Sequence, residues 1–400
     1  MAVRFLSRIA GGVLVVSVMA GCGTGTATPN LGVPTPPPSS GATSVQPSES
    51  SADASHPAIP MGKFTVTGSL TTARRSQTDT LLADGRVLLV GGQDSNGSTL
   101  ASAEIYDPAT GKFAATGAMK VARWGHTATL LKDGRVLVTG GENDGAEPLD
   151  STEIYDPSSK AFAAGPKLSA ARLNHAATLL ADGKVLITGG DDGTENGLDS
   201  ADLFDPGNNS FAATGKMTAG RWGHTATLLK DGHVLIAGGQ SNPDVYSTTE
   251  IYDPGSGNFA AGGSMTTARW GQTATLLPDG QVLLAAGQDA DNAPLQSAEL
   301  FNPADGSFTA TDSLTTTRVG HTANLLTNGL VLLVGGVDAG GHGIASAELF
   351  NPADGSFTAT GSLHDQRGNH TATLLGNGQV LDAGGADLDM VYDSAELYQP

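Results

Sequence analysis

Short apolar runs separated by Gly, Asp, Asn and Pro follow one another from Phe64 to Tyr398, and the order in which they come is repeated. The stretch after Arg123 shows the unit. His126-Thr127-Ala128-Thr129-Leu130-Leu131 is short and β-rich. Lys132-Asp133-Gly134-Arg135 follows it, where Asp-Gly suits the positive φ angles of a tight hairpin turn. The next run, Val136 to Thr139, ends at Gly140-Gly141. After a variable polar loop come Ser151-Thr152-Glu153-Ile154-Tyr155, the segment Asp156-Pro157-Ser158-Ser159, and a last run from Phe162 to Gly165. Pro presets φ at the second position of a turn, so Asp-Pro opens a turn between two strands. The pattern predicts strands a, b, c and d in each unit and lacks the apolar spacing of a helical repeat.

The Arg of a recurring Arg-x-x-His/Gln marks the phase at Arg74, Arg123, Arg172, Arg221, Arg269, Arg318 and Arg367, with intervals of 49, 49, 49, 48, 49 and 49 residues. Units of this length with a strand meander are the size of a propeller blade. The double Gly after strand b, an aromatic in strand c and another seven positions on resemble the kelch repeat. The aromatic pairs are Tyr106 and Phe113, Tyr155 and Phe162, Phe204 and Phe211, Tyr252 and Phe259, Phe301 and Phe308, and Phe350 and Phe357. Kelch repeats prefer Trp at the second aromatic, where this chain has Phe, and Ala286-Gly287 departs from the Gly pair. The resemblance implies an all-β, seven-bladed kelch-type propeller over residues 61–400, similar to the central domain of galactose oxidase. The last unit stops after Ser394 to Tyr398, while residues 62–74 match the strand d segment of other units, such as 111–123. The N-terminal strand is therefore expected to complete the last blade and close the ring, with Phe64 as partner of Tyr398.

Ahead of the repeats, residues 1–21 have Arg4 and Arg8, an apolar run from Ile9 to Met19 and then small residues, the layout of a secretory signal. Val18-Met19-Ala20-Gly21-Cys22 resembles the bacterial lipobox, which implies cleavage before Cys22 and acylation of its thiol. Residues 22–60 are rich in Pro, Ser, Thr and Gly and too poor in large apolar side chains to form a core, which predicts an extended spacer. The expected location is the extracytoplasmic face of a cell membrane, with the outer membrane as an alternative in a cell that has one. Cys22 is the only Cys of the 400 residues, so the body has no internal disulfide. Gly at 55 residues and charged residues at 15% suit short strands and many turns, and a net charge of −19 argues against nucleic acid as a partner. A closed ring without free sheet edges is expected to be a monomer.

Each unit pairs its Arg with an acid in strand c: Glu104, Glu153, Asp202, Glu250, Glu299, Glu348 and Glu396. A cation and an acid in lockstep through every blade read as repeated structural ion pairs, since what every blade needs usually serves the blade. His126, His175, His224, His321 and His370, with Gln77 and Gln272 at the matching places, read as hydrogen-bonding positions, because equivalent sites held apart around a channel do not converge on a metal. Function is expected where the repeat breaks. After the Arg stand Arg75, Trp124, Leu173, Trp222, Trp270, Val319 and Gly368, and all three Trp residues fall there. They are candidates for stacking on a sugar or anchoring a partner, with packing between blades as the alternative. The b–c loops are acidic, as at Asp191 and Asp192. Such oxygen ligands suit calcium, but no loop has the spacing of a calcium site and solvated turns have the same composition. No other cofactor or metal is implied. From Trp270 onward there are 2 bases and 15 acids, a difference of 2 − 15 = −13, which predicts an acidic flank on the last blades.

These features imply a membrane-tethered binding or scaffold module recognising a protein or glycan through the variable loop face. The alternative is a carbohydrate-active enzyme of isomerase or hydrolase type, since the fold also resembles sugar-acting propeller enzymes. Copper-radical chemistry is excluded, because it needs a Cys cross-linked to Tyr and the mature body has no Cys beyond Cys22.

Overall fold

The computed structural model describes residues 61–388 and 390–400. The segments read above as signal and spacer, Cys22 among them, lie outside the described residues. The rest forms seven four-stranded antiparallel sheets. Strand a of each sheet lies beside strand a of the sheets on both sides, which closes the ring of a seven-bladed propeller.

Blade 1 consists of Thr78–Leu81, Val87–Val90, Ala103–Asp107 and Lys112–Ala115, in that spatial order. Burial follows position in the blade. Strand b is buried at every residue in all seven blades, because both faces meet a neighbouring blade, while strand d is largely exposed. That explains why strand b reads as an unbroken apolar run instead of an alternating one. The cores lie between blades. Leu88 and Val90 of blade 1 pack on Val136 and Val138 of blade 2, and each such fully buried side chain is worth about 1.5–3 kcal/mol.

The two aromatics of each blade face each other across strands c and d, as Tyr106 does Phe113 at 4.8 Å between ring centres. A further tie joins successive blades. The Tyr155 hydroxyl lies 2.7 Å from Thr116 Oγ1 at the end of the preceding blade, and Tyr106, Tyr252 and Tyr398 meet Thr67, Thr214 and Thr360 at 3.0, 3.0 and 2.8 Å. Blades 3, 5 and 6 have Phe204, Phe301 and Phe350 instead. The residues aligned with that Thr are Gly165 and Gly262 for the first two and Thr311 for the third, whose hydroxyl donates to the carbonyls of Ala298 and Asp312.

The Gly pair after strand b is required by close approach. Gly91 and Gly92 have φ of 64° and 90°, and a Cβ on Gly92 would lie 2.5 Å from the Arg75 carbonyl. Ala286 takes the same left-handed conformation, at φ 55°, in the fifth blade. Loops b–c of blades 4 and 7 contain small hairpins, Gln240–Ser241 with Asp244–Val245 and Ala386–Asp387 with Met390–Val391, which the loop reading did not anticipate.

The seventh blade is composite. Thr371–Leu374, Val380–Ala383 and Ala395–Gln399 are completed by Lys63–Val66, with Phe64 opposite Tyr398 and their rings 5.0 Å apart. Leu70, Val87, Leu89 and Tyr106 then pack on Leu375, Leu381, Ala383 and Ala395 to seal the seam between the last blade and the first. Removing residues 61–70 should expose strand c of the last blade and open this cluster, lowering the melting temperature of the whole propeller in one transition. A calorimetric scan in which only a minor component unfolds early would count against that coupling.

Candidate functional site

The d–a crossovers and b–c loops meet at one end of the ring. The residue after each repeat Arg bridges the residue after each Gly pair, as Arg75 does Gln93 and Trp124 does Glu142. One residue further on, every blade enters the left-handed region: Ser76, Gly125, Asn174, Gly223, Gly271, Gly320 and Asn369, with φ between 50° and 63°. At five of the seven junctions the amide of such a residue donates to the carbonyl of its counterpart in the preceding blade. These bonds run from Ser76 to Asn369 (2.9 Å), Asn174 to Gly125 (2.9 Å), Gly223 to Asn174 (3.0 Å), Gly271 to Gly223 (2.9 Å) and Asn369 to Gly320 (2.8 Å). The result is a backbone belt around the axis at the loop end. Sequence reasoning missed it, although the run of Gly and Asn at that position was its signal.

Directly behind the belt lie the repeat arginines, all with no exposed surface. Arg74 shows the pattern: Nη1 donates to the carbonyls of Gly91 (2.9 Å) and Ser102 (3.1 Å), and Nη2 to Ser102 Oγ (3.1 Å) and Glu104 Oε1 (2.8 Å). Glu104 in turn accepts from the amides of Thr71 and Thr72, in the crossover arriving from the preceding blade. The equivalent pairs are Arg123–Glu153, Arg172–Asp202, Arg221–Glu250, Arg269–Glu299, Arg318–Glu348 and Arg367–Glu396, at 2.8–3.4 Å. Each pair lies within one blade and ties down the chain entering it. Asp202 is one methylene shorter, and the Ser169 hydroxyl donates to it at 2.9 Å. Burial pushes the guanidinium of Arg74 down, and the Glu104 carboxylate beside it opposes that shift.

The repeat histidines are buried between blades. Nε2 of His126, His175, His224, His321 and His370 lies 2.8–3.2 Å from a Thr hydroxyl of the preceding blade. Gln77 and Gln272 instead donate to the carbonyls of Ala383 (2.9 Å) and Ala237 (2.8 Å). Burial, with an Arg guanidinium nearby, pushes His126, His224 and His321 down to about 3 and His175 well below its ordinary value.

The Trp positions require a correction. Trp124, Trp222 and Trp270 are 7%, 7% and 8% exposed, so their rings form the wall of the loop end and present no open stacking face. Trp222 and Trp270 meet edge to face at 5.2 Å, and Trp222 Nε1 donates to the Glu195 carbonyl of the neighbouring loop at 3.3 Å. Asp191 is buried and accepts from the amides of Gly193 (2.8 Å) and Glu195 (3.0 Å), while exposed Asp192 accepts from Thr194. Asp94, Asp289 and Asp338 brace their own loops in the same way. Among the described residues no group of three or more His, Cys, Asp or Glu side chains converges to hold a metal. On the acidic flank, Glu299, Glu348, Asp382 and Glu396 are buried, so the surface charge there comes from the remaining acids. Two acids break the repeat within strands a and b. Asp79 stands where the other blades have Ala, and Asp382 where they have Leu, Val or Ile. Asp79 accepts a hydrogen bond from Thr373 across the closing seam, and burial pushes its carboxyl up to about 6.

With this geometry in view, a family model described as the kelch motif matches residues 74–119, from the repeat Arg of blade 1 to the entry of blade 2. The chain is a seven-bladed β-propeller of kelch type. Among solved structures it resembles a novel fungal alcohol oxidase of the AA5 family in complex with copper, at TM-score 0.66 and 18% identity over 85% of this chain and 76% of the oxidase. It also resembles a protein solved under the name YjhT, at TM-score 0.59 and 15% identity over 73% of this chain and 99% of that one. At such identities the likeness is one of fold. No curated protein matches the sequence. A copper such as the oxidase holds does not fit the described side chains, whose repeat imidazoles are separated, one to a blade, and bonded to Thr hydroxyls.

Arg123→Ala should leave Glu153 buried without its cation and cost about 3–5 kcal/mol in urea unfolding. Removing the exposed pair Arg135–Asp133 should change stability by no more than about 1 kcal/mol. Equal losses from the two changes would contradict the structural role of the buried pairs. The histidines set an acid limit. The folded values of His126, His224 and His321 lie below the ordinary 6.5, so between pH 6.5 and about 3 the unfolded chain takes up protons that the folded chain refuses, and stability is lost as pH falls. Asp79 acts oppositely: its folded value of about 6 exceeds the ordinary 3.8, so its contribution is lost as pH rises through that window. The several histidines outweigh it. The melting temperature should drop between pH 7 and 4, and His224→Gln, the residue used at Gln77 and Gln272, should flatten that slope.

Proposed function

We propose that this protein is a membrane-tethered, extracytoplasmic binding module that recognises a protein or glycan through the loop end of the propeller. The observation behind this reading is the difference between the two ends of the ring. At one end the a–b and c–d turns repeat the same Asx-braced geometry, as at Asp84, Asp133, Asp182 and Asp231. At the other, the b–c loops of blades 4 and 7 are one residue shorter and folded into small hairpins, and the residues around the belt change from blade to blade. Recognition that must be particular uses the end that varies.

The entry of the chain supports the same reading. Lys63 pairs with Gln399 at the turn end, and the strand runs toward the loop end, where Val66 pairs with Glu396. A lipid on Cys22 would therefore pull on the invariant end and leave the loop end facing away. Two results are expected. Cys22→Ser should move the protein from the membrane to the soluble fraction. In native membranes, cross-links to its partner, or binding on a glycan array, should be lost with Glu147→Lys or Asp192→Lys at the loop end and kept with Asp182→Lys or Asp231→Lys at the turn end. Loss from the turn-end changes alone would reject the assignment of the face.

A further inference from the structure

One arginine among the described residues is not committed to the fold. The seven repeat arginines and the turn arginines Arg86 and Arg135 all have carboxylate partners. The guanidinium of Arg75 has no ion pair or hydrogen bond among the described residues, in a chain of net charge −19. It is half-buried, and burial pushes it down with no neighbouring carboxylate raising it back. An ionised group left so is held by something outside the chain or remains partly desolvated at a cost.

Its setting at the loop end is unlike that of its counterparts. Trp124, Leu173, Trp222, Trp270 and Val319 occupy the same position in five other blades, and Gly368, with no side chain, occupies it in the blade next to Arg75 across the closing seam. The belt there is polar. Ser76, which follows Arg75, donates its amide to the carbonyl of Asn369, which follows Gly368, at 2.9 Å. The Ser76 hydroxyl and Asn369 amide make no side-chain hydrogen bond among the described residues, and both are partly exposed. Where five blades place an apolar wall, the seam places a guanidinium, a hydroxyl and an amide around an absent side chain.

Resting on the binding-module reading above, we propose that this notch between the first and last blades binds a carboxylate, with Arg75 as its counter-ion and Ser76 and Asn369 as flanking donors. A planar guanidinium fork matches a carboxylate's two oxygens, and neutral donors beside it complete the site. The acidic flank of the adjoining blades repels multiply charged ligands, so the site selects a single carboxylate on an otherwise neutral molecule. Such a group is offered by an acidic sugar or by the C terminus of a peptide.

Isothermal titration of the mature full-length chain tests this. The probes are glucuronate against glucose, triglycine against its C-terminal amide, and inorganic phosphate. The expected result is binding of glucuronate or triglycine at least about tenfold tighter than of its neutral counterpart, with whichever binds naming the source of the carboxylate. Arg75→Gln and Arg75→Ala should each weaken it by about tenfold or more with the melting temperature retained, the loss expected when a charged hydrogen-bonding partner is removed. Asp231→Lys, at the turn end, should leave it intact. The proposal is overturned if carboxylate and neutral probes bind alike, if neither carboxylate binds at millimolar concentration, if phosphate binds as tightly, or if Arg75→Gln changes nothing. If carboxylate binding is absent while loop-end substitutions still abolish cross-linking, the binding module stands and the carboxylate assignment falls.

Discussion

The buried ion pair between each repeat Arg and the acid of strand c is the interaction on which the rest of the propeller depends. Each guanidinium holds the carbonyl of the Gly at the end of strand b (Ala286 in the fifth blade), the start of strand c and the acid, and the acid holds the amides of the incoming crossover. Loop, strand and connection are thereby fixed to one point. An ion pair removed from water gains little over a well-packed apolar cluster and fails badly when one partner is lost. Its value lies in geometry, because the fork accepts its partners in one arrangement only. That arrangement, repeated seven times, places the belt and the residues beside it.

Cohesion and recognition are thus assigned to different layers. The apolar contacts between strand b of one blade and the next supply the burial, and histidines or glutamines latch neighbouring blades together nearer the axis. These positions are nearly invariant because every blade faces the same neighbour. The departures concentrate at the closing seam: Arg75, Ser76 and Asp79 on one side, Gly368 and Asn369 on the other, and Asp382 in the last blade. The seam is also where the N-terminal strand completes the ring, so the chain's entry point and its least regular chemistry lie in the same sector.

Architecture was legible because it is periodic. The Arg markers, Gly pairs and aromatic pairs gave the number of blades, and the missing last strand matched the surplus one at the N-terminus, as the register of Phe64 with Tyr398 shows. Site chemistry was less so. The Trp residues stood out by their position, yet the loops and neighbouring rings that cover them belong to other blades, and burial by such distant neighbours leaves no local trace. Arg75 looked like one more base among many, since pairing is a property of what surrounds a side chain.

The sequence by itself determined the repeat, the strand order within a blade, the composite closure and the turn chemistry, because these rest on short-range rules of φ, hydrogen bonding and apolar spacing. Tertiary structure alone decided which Tyr hydroxyl meets which Thr of the preceding blade, that the belt amides link one blade to the next, that the Trp rings are covered, and that one guanidinium among ten is left unpaired among the described residues. Each of those depends on residues from different blades meeting in space. Seven copies of one pattern specify such meetings only after the ring has closed.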